Sequence, residues 1–136
     1  MGRILAVDLG TRRVGLALTD PLRLIASPCS SLSFRGEARL AAELLALVSE
    51  KGVERVVIGL PIKEDGTEGE GCRRARSLAR RLEDRGVGVV LWDERYSSRE
   101  AQEALRQMGF SGKRSVGRVD ALAASLILED YLRSGE

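Results

Sequence analysis

Three acidic positions stand out because their surroundings are apolar or structurally placed. The run Ile4-Leu5-Ala6-Val7-Asp8-Leu9 is apolar except for Asp8. Side chains alternate along a strand, so Asp8 shares a face with Ile4 and Ala6. A lone carboxylate on such a face is costly unless it is paired or binds a metal. Ending the strand and capping the Gly10-Thr11 turn explains Asp8 about as well. Asp93-Glu94 closes a second apolar run, and alternation sends the two acids to opposite faces. Asp120 opens a helical pattern shared with Ala123, Ala124 and Ile127. It either complements the helix dipole or lies at a sheet surface that the small alanines approach closely. Three carboxylates without histidine are hard oxygen donors, suited to Mg²⁺ or Mn²⁺ rather than zinc. Metal ions held that way activate a water and stabilise the leaving oxygen of a phosphodiester. Lys113, Arg114 and Arg118 precede Asp120 in a basic loop that suits a phosphate backbone.

The hydrophobic pattern places these acids on elements. Strands are expected at Arg3–Leu9, Val14–Thr19 and Leu22–Ser27, close enough in sequence for an antiparallel meander. Leu40, Leu44, Leu47 and Val48 predict a helix over Glu37–Lys51, ending at Gly52. Glu54–Leu60 reads as a buried strand. Cys72, Ala75, Leu78, Ala79 and Leu82 mark a helix ending at Gly86, and Val87–Asp93 a fifth strand. Ser97 and Glu100 form a capping box opening a helix to Gly109. A loop, Phe110–Arg118, then leads to a last helix from near Val119 to near Arg133. The order βββαβαβαα implies an α/β fold: one mixed five-stranded sheet, order 3-2-1-4-5, with helices on both faces. Ligands of such sheets gather at the carboxyl ends of strands where connections diverge, and there Asp8, Glu94 and Asp120 can converge.

Composition bounds the alternatives. The 136 residues suffice for one domain, 1–136, with 43% hydrophobic and 31% charged residues. The longest uncharged stretch, Leu24–Phe34, is too short to span a bilayer. No secretory leader is visible, and a cytoplasmic location is expected. With no histidine, His-based triads and His-ligated metals are excluded. Cys29 and Cys72 stand far apart, form no metal or redox spacing, and read as small buried residues. The net charge is only +2, yet Arg73–Arg118 carries twelve basic and six acidic residues. A local basic field suits an anionic partner such as nucleic acid. Its helical part, Arg73, Arg74, Arg76, Arg80, Arg81 and Arg85, reads as a water-facing surface. Lys63–Gly71 is polar and Gly-rich and is expected to be mobile until substrate orders it.

Five segments together resemble the YqgF family, also called RuvX, of the ribonuclease H-like superfamily. They are Ala6-Val7-Asp8-Leu9-Gly10-Thr11-Arg12-Arg13-Val14-Gly15, Val57-Ile58-Gly59-Leu60-Pro61, Asp65-Gly66-Thr67-Glu68, Asp93-Glu94-Arg95-Tyr96-Ser97-Ser98 and Val119–Leu128. The resemblance implies a metal-dependent nuclease in which Asp8, Glu94 and Asp120 bind Mg²⁺ or Mn²⁺. It implies one of two substrates: pre-16S ribosomal RNA, cut in 5′-end maturation, or branched DNA, cut by Holliday junction resolution. The resolvases of that superfamily carry a further acid three residues before the position of Asp120, where this chain has Gly117. The resolvase reading also predicts a homodimer with two sites. Arg12, Arg13, Arg95, Tyr96, Lys113, Arg114 and Arg118 are the expected nucleic-acid contacts, with Tyr96 and Phe110 placed to stack on unpaired bases. Two other readings compete. Asp8-Leu9-Gly10-Thr11 with Gly15 also resembles the first phosphate loop of actin-like ATPases, but those need two such domains. A non-catalytic binding module would not require all three acids.

Overall fold

The computed structural model describes residues 2–94 and 116–135. Within them the chain runs β1 (Arg3–Leu9), β2 (Arg13–Thr19), β3 (Ala26–Ser33), α1 (Glu37–Lys51), β4 (Val53–Leu60), α2 (Glu70–Glu83), β5 (Gly88–Asp93) and α3 (Val116–Arg133). The strands form one mixed sheet ordered β3-β2-β1-β4-β5, as the pattern predicts. Short links make β1–β2 and β2–β3 antiparallel. Crossovers through α1 and α2 bring β4 and β5 back parallel, as helical connections require. The helix expected over Ser97–Gly109 lies outside the described residues.

Alternation along β1 and β4 divides the core into two layers. Leu5, Val7, Val56 and Ile58 face α1 and α2, where Leu40, Leu44, Leu78 and Leu82 are buried with them. Ile4, Ala6 and Val57 face the other way, onto Ala124, Ile127, Leu128 and Tyr131 of α3. Each fully buried leucine or isoleucine contributes about 1.5–3 kcal/mol. Among the described residues no helix is long and apolar enough to cross a membrane.

Several local expectations are corrected. The third strand is Ala26–Ser33, not Leu22–Ser27. Asp20 accepts the backbone N–H groups of Leu24 and Ile25, both at 2.8 Å, and so holds that segment as a turn. Leu22, Leu24 and Ile25 are consequently exposed. The strand that follows is the sheet edge and is mostly solvated, so it carries no inward–outward alternation to read. Cys29 lies on it and is exposed, whereas Cys72 is buried. Separately, the polar stretch after β4 contains a hydrogen-bonded turn, which leaves its expected mobility untested. Lys63 and Gly66 close it through Thr67 and Lys63 carbonyls, and Asp65 accepts from the Thr67 N–H and hydroxyl. Finally, α3 starts at Val116, so Arg118 is its third residue rather than the end of a loop.

Candidate metal-binding carboxylate site

One row of residues crosses the sheet at the carboxyl end of β1. Ser31 of β3 pairs with Gly15 of β2, and Gly15 pairs with Asp8. Val7 pairs with Ile58, so Gly59 of β4 comes next to Asp8, and Gly59 pairs with Trp92 of β5. Laterally paired residues project to the same face. This row therefore faces the α3 layer, with Asp8 between two glycines.

The missing side chains of those glycines are what admit the other two acids. A Cβ added at Gly59 would overlap the Glu94 carboxylate, and one added at Gly15 would overlap the carbonyl oxygen of Asp120. Glu94 follows β5 directly and is anchored by its N–H to the Leu60 carbonyl at 3.0 Å. Its side chain crosses over Gly59 toward Asp8. Gly15 lets the α3 backbone settle against β2 beside the same aspartate. Asp120 is the fifth residue of α3, and the first turn holds no acid. Complementing the helix dipole therefore does not account for it, whereas the close approach of the helix to the sheet does.

Asp8 and Glu94 share a side-chain hydrogen bond. Burial pushes the Glu94 carboxyl up to about 9, helped by that hydrogen bond and by the charges of Asp8 and Asp93. Burial also raises Asp8, with Asp120 adding repulsion, while the bond to Glu94 pulls the other way. The pair therefore retains a proton at neutral pH, as closely placed carboxyls do. Asp120 is held differently. Arg13 Nε donates to its Oδ2 at 2.9 Å and Ser31 Oγ donates to the same oxygen at 3.3 Å. The ion pair is partly solvated, with Arg13 about half exposed.

As placed, no three acidic, cysteine or histidine residues among the described residues form a ready cation cage. Asp8 and Glu94 face one another, and Asp120 is turned to Arg13 and Ser31. The donor set nonetheless fits a hard divalent cation. A cradle that a Cβ would fill brings Glu94 to Asp8, and binding a cation favours the ionised forms that burial opposes. Asp120 would join that set on releasing Arg13.

The remaining expected contacts divide. Arg12 is exposed, and its carbonyl accepts the Phe34 N–H at 2.8 Å. Arg95, Tyr96, Phe110, Lys113 and Arg114 lie outside the described residues. Gly59, in the second of the family segments, receives the Glu94 side chain. Two residues were missed. The sequence does not single out Ser31, because the apolar Leu22, Leu24 and Ile25 draw the expected third strand too early in the chain. Arg74 reads in sequence like the water-facing arginines, yet it donates to the Gly10 carbonyl at 3.0 Å and lies 4.6 Å over the Phe34 ring. Its only sequence signal is its position one residue before buried Ala75, on the flank of the apolar stripe.

Comparison with known proteins agrees with this architecture. A protein of Anaeromyxobacter dehalogenans (strain 2CP-C) named "Putative pre-16S rRNA nuclease" is 45% identical over 131 residues, covering 96% of each chain. One of the same name from Syntrophus aciditrophicus (strain SB) is 42% identical over 134 residues, covering 96% of this chain and 87% of that protein. Thermus thermophilus RuvC superposes with a TM-score of 0.61 at 18% identity, covering 98% of this chain and 96% of that one. RuvC of T. thermophilus in complex with Holliday junction substrate gives 0.60 at 16%, covering 99% and 97%. At these identities the likeness to RuvC is one of fold, and that fold is ribonuclease H-like. The sequence signature of RuvX, described as Holliday junction resolvase, matches residues 2–134, and the chain belongs to the RuvX family.

Proposed function

We propose that this chain is a divalent-metal-dependent nuclease that trims the 5′ end of pre-16S ribosomal RNA. The observation that carries the reading is the Asp8–Glu94 carboxyl pair, joined over Gly59 at the carboxyl end of β1. The name borne by relatives of 42–45% identity supports the substrate. In this reading Asp8, Glu94 and Asp120 hold Mg²⁺ or Mn²⁺. The ion supplies a polarised water and neutralises charge at the scissile phosphate. The chain's own residues do the rest. Burial of Asp8 and Glu94 keeps bulk water from screening their charge. Arg13 and Ser31 aim Asp120, and among the described residues Arg13 is a cation in contact with one of the three acids and able to turn to phosphate. Lys113, Arg114 and Arg118 precede Asp120 in sequence and, with Arg12, Arg95 and Tyr96, are assigned to the RNA backbone and bases. The cytoplasm, where ribosomes are built, is the corresponding location.

The test offers a pre-16S 5′ fragment and a synthetic four-way DNA junction to wild type and to Asp8→Asn, with Mn²⁺ or Mg²⁺. The substitution keeps the shape of the side chain and removes its charge. RNA cleavage lost in Asp8→Asn supports the proposal. Paired symmetric cuts in the junction, with RNA left intact, would replace it with the resolvase reading and with a dimer. Binding of RNA without any cleavage would replace it with a binding module.

A further inference from the structure

We infer that Arg74 is a positioning residue for the carboxylate site, acting from the opposite layer of the fold. The inference deepens the nuclease reading and depends on it for its kinetic consequence. α2 packs with α1 on the sheet face away from α3, so Arg74 starts on the far side from Asp8. Its side chain passes the end of β1 instead of entering solvent. Nη2 donates to the Gly10 carbonyl at 3.0 Å, and the guanidinium lies 4.6 Å from the centroid of Phe34.

Those two contacts grip both sides of one short link. The Gly10 N–H donates to the Arg13 carbonyl at 2.9 Å and closes the link between β1 and β2. The Phe34 N–H donates to the Arg12 carbonyl at 2.8 Å and ties the link to the chain leaving β3. One end of the link is two residues beyond Asp8. The other end is Arg13, whose Nε holds Asp120 at 2.9 Å. A single guanidinium thus braces the backbone that sets both Asp8 and the partner of Asp120. Arginine suits the task because one planar group both donates in a fork and stacks on an aromatic face. Lysine offers charge without the plane. Neighbouring arginines of α2 do something else: Arg73 pairs with Glu70 and Arg76 with Glu68, both on the exposed surface.

The experiment compares wild type, Arg74→Ala, Arg74→Lys and, as a control from the same helix, Arg76→Ala. For Arg74→Ala on the pre-16S fragment, kcat is expected to fall about tenfold to a hundredfold with KM changed less than about threefold. Arg74→Lys falls between, and Arg76→Ala matches wild type. Millimolar guanidinium restores part of the Arg74→Ala rate. Amide exchange at Gly10 and Phe34 accelerates about tenfold while Val57 and Ile58 are unchanged. An unchanged kcat, or a rise in KM alone, overturns the assignment, the latter because it marks a substrate contact. So does loss of exchange protection throughout the sheet without rescue by guanidinium, which marks a general packing role. If wild type itself cleaves nothing, the nuclease reading fails. Exchange then decides separately: acceleration confined to Gly10 and Phe34 sustains the brace, and unaltered exchange overturns it.

Discussion

Stability of the metal-free protein should fall as pH rises through neutrality, and Glu94 should be the reason. A carboxyl raised to about 9 in the folded chain but ordinary in the unfolded chain, near about 4.3, makes the folded state the one that binds the extra proton between those values. Folding stability then declines by about 1.4 kcal/mol per pH unit across that interval. From about pH 5.5 to about pH 7.5 the loss is about 2.7 kcal/mol. For 136 residues this lowers the melting midpoint by about 10 °C. The window is unusually clean because the chain has no histidine to titrate in it.

The assay is thermal or urea unfolding in chelator at several pH values, for wild type and Glu94→Gln. The amide keeps the shape over Gly59 and removes the titrating group. Glu94→Gln should flatten the slope and make the metal-free protein more stable than wild type near neutral pH. A wild-type curve already flat across the window refutes the shared proton. A slope that persists in Glu94→Gln refutes its assignment to this pair.

Four further outcomes follow from the same geometry. Mn²⁺ should raise the melting midpoint of wild type more at about pH 7.5 than at about pH 5.5, because binding must release the shared proton, and excess EDTA should reverse the gain and stop cleavage. Gly59→Ala should leave the fold intact, since the obstructed group is the end of a side chain, but should displace Glu94; spectra stay native while cleavage and the pH slope both diminish. Gly15→Ala meets the backbone of α3 instead and should destabilise by about 3 kcal/mol or more, read by urea unfolding. Arg13→Gln removes a partly solvated ion pair and should alter stability by less than about 1 kcal/mol, while cleavage falls because Asp120 loses its aim.

The residues differ in how far their sequence surroundings revealed them. β1 and β4 were legible because strands buried on both faces read as near-continuous apolar runs, and an acid inside one is conspicuous. Asp8 was visible for that reason. Glu94 and Asp120 are weak signals alone, since acids are common at strand and helix ends; strand order groups them with Asp8, and the family resemblance implies their role. β3 was not legible: an edge strand needs little burial, and the apolar Leu22, Leu24 and Ile25 just before it drew the assignment to the wrong segment. Ser31 was lost with it. Arg74 was hidden for a different reason. Five arginines along α2 look alike in sequence, and only tertiary placement distinguishes the one that reaches the Gly10 carbonyl from those paired with surface glutamates. The dipole explanation for Asp120 failed because α3 begins at Val116, a turn earlier than the apolar pattern suggests.

The two glycines beside Asp8 bear on more than sterics. Ile4 and Ala6, on the same face of β1, are covered by apolar side chains of α3, and continuing that cover would bury Asp8 without any partner. Removing the side chain on each flanking strand creates two slots instead. One admits a carboxylate from the end of β5, the other admits the backbone of α3 with Asp120 on it. No two of the acids share an element, so the cluster exists only once the sheet is complete and α3 has docked. The unfolded chain, with its acids spread from Asp8 to Asp120, has no comparable site. Cation binding should therefore be strongly coupled to folding. The same coupling would let the fold tolerate repulsion and burial at Glu94, because a bound cation would relieve the carboxyl pair.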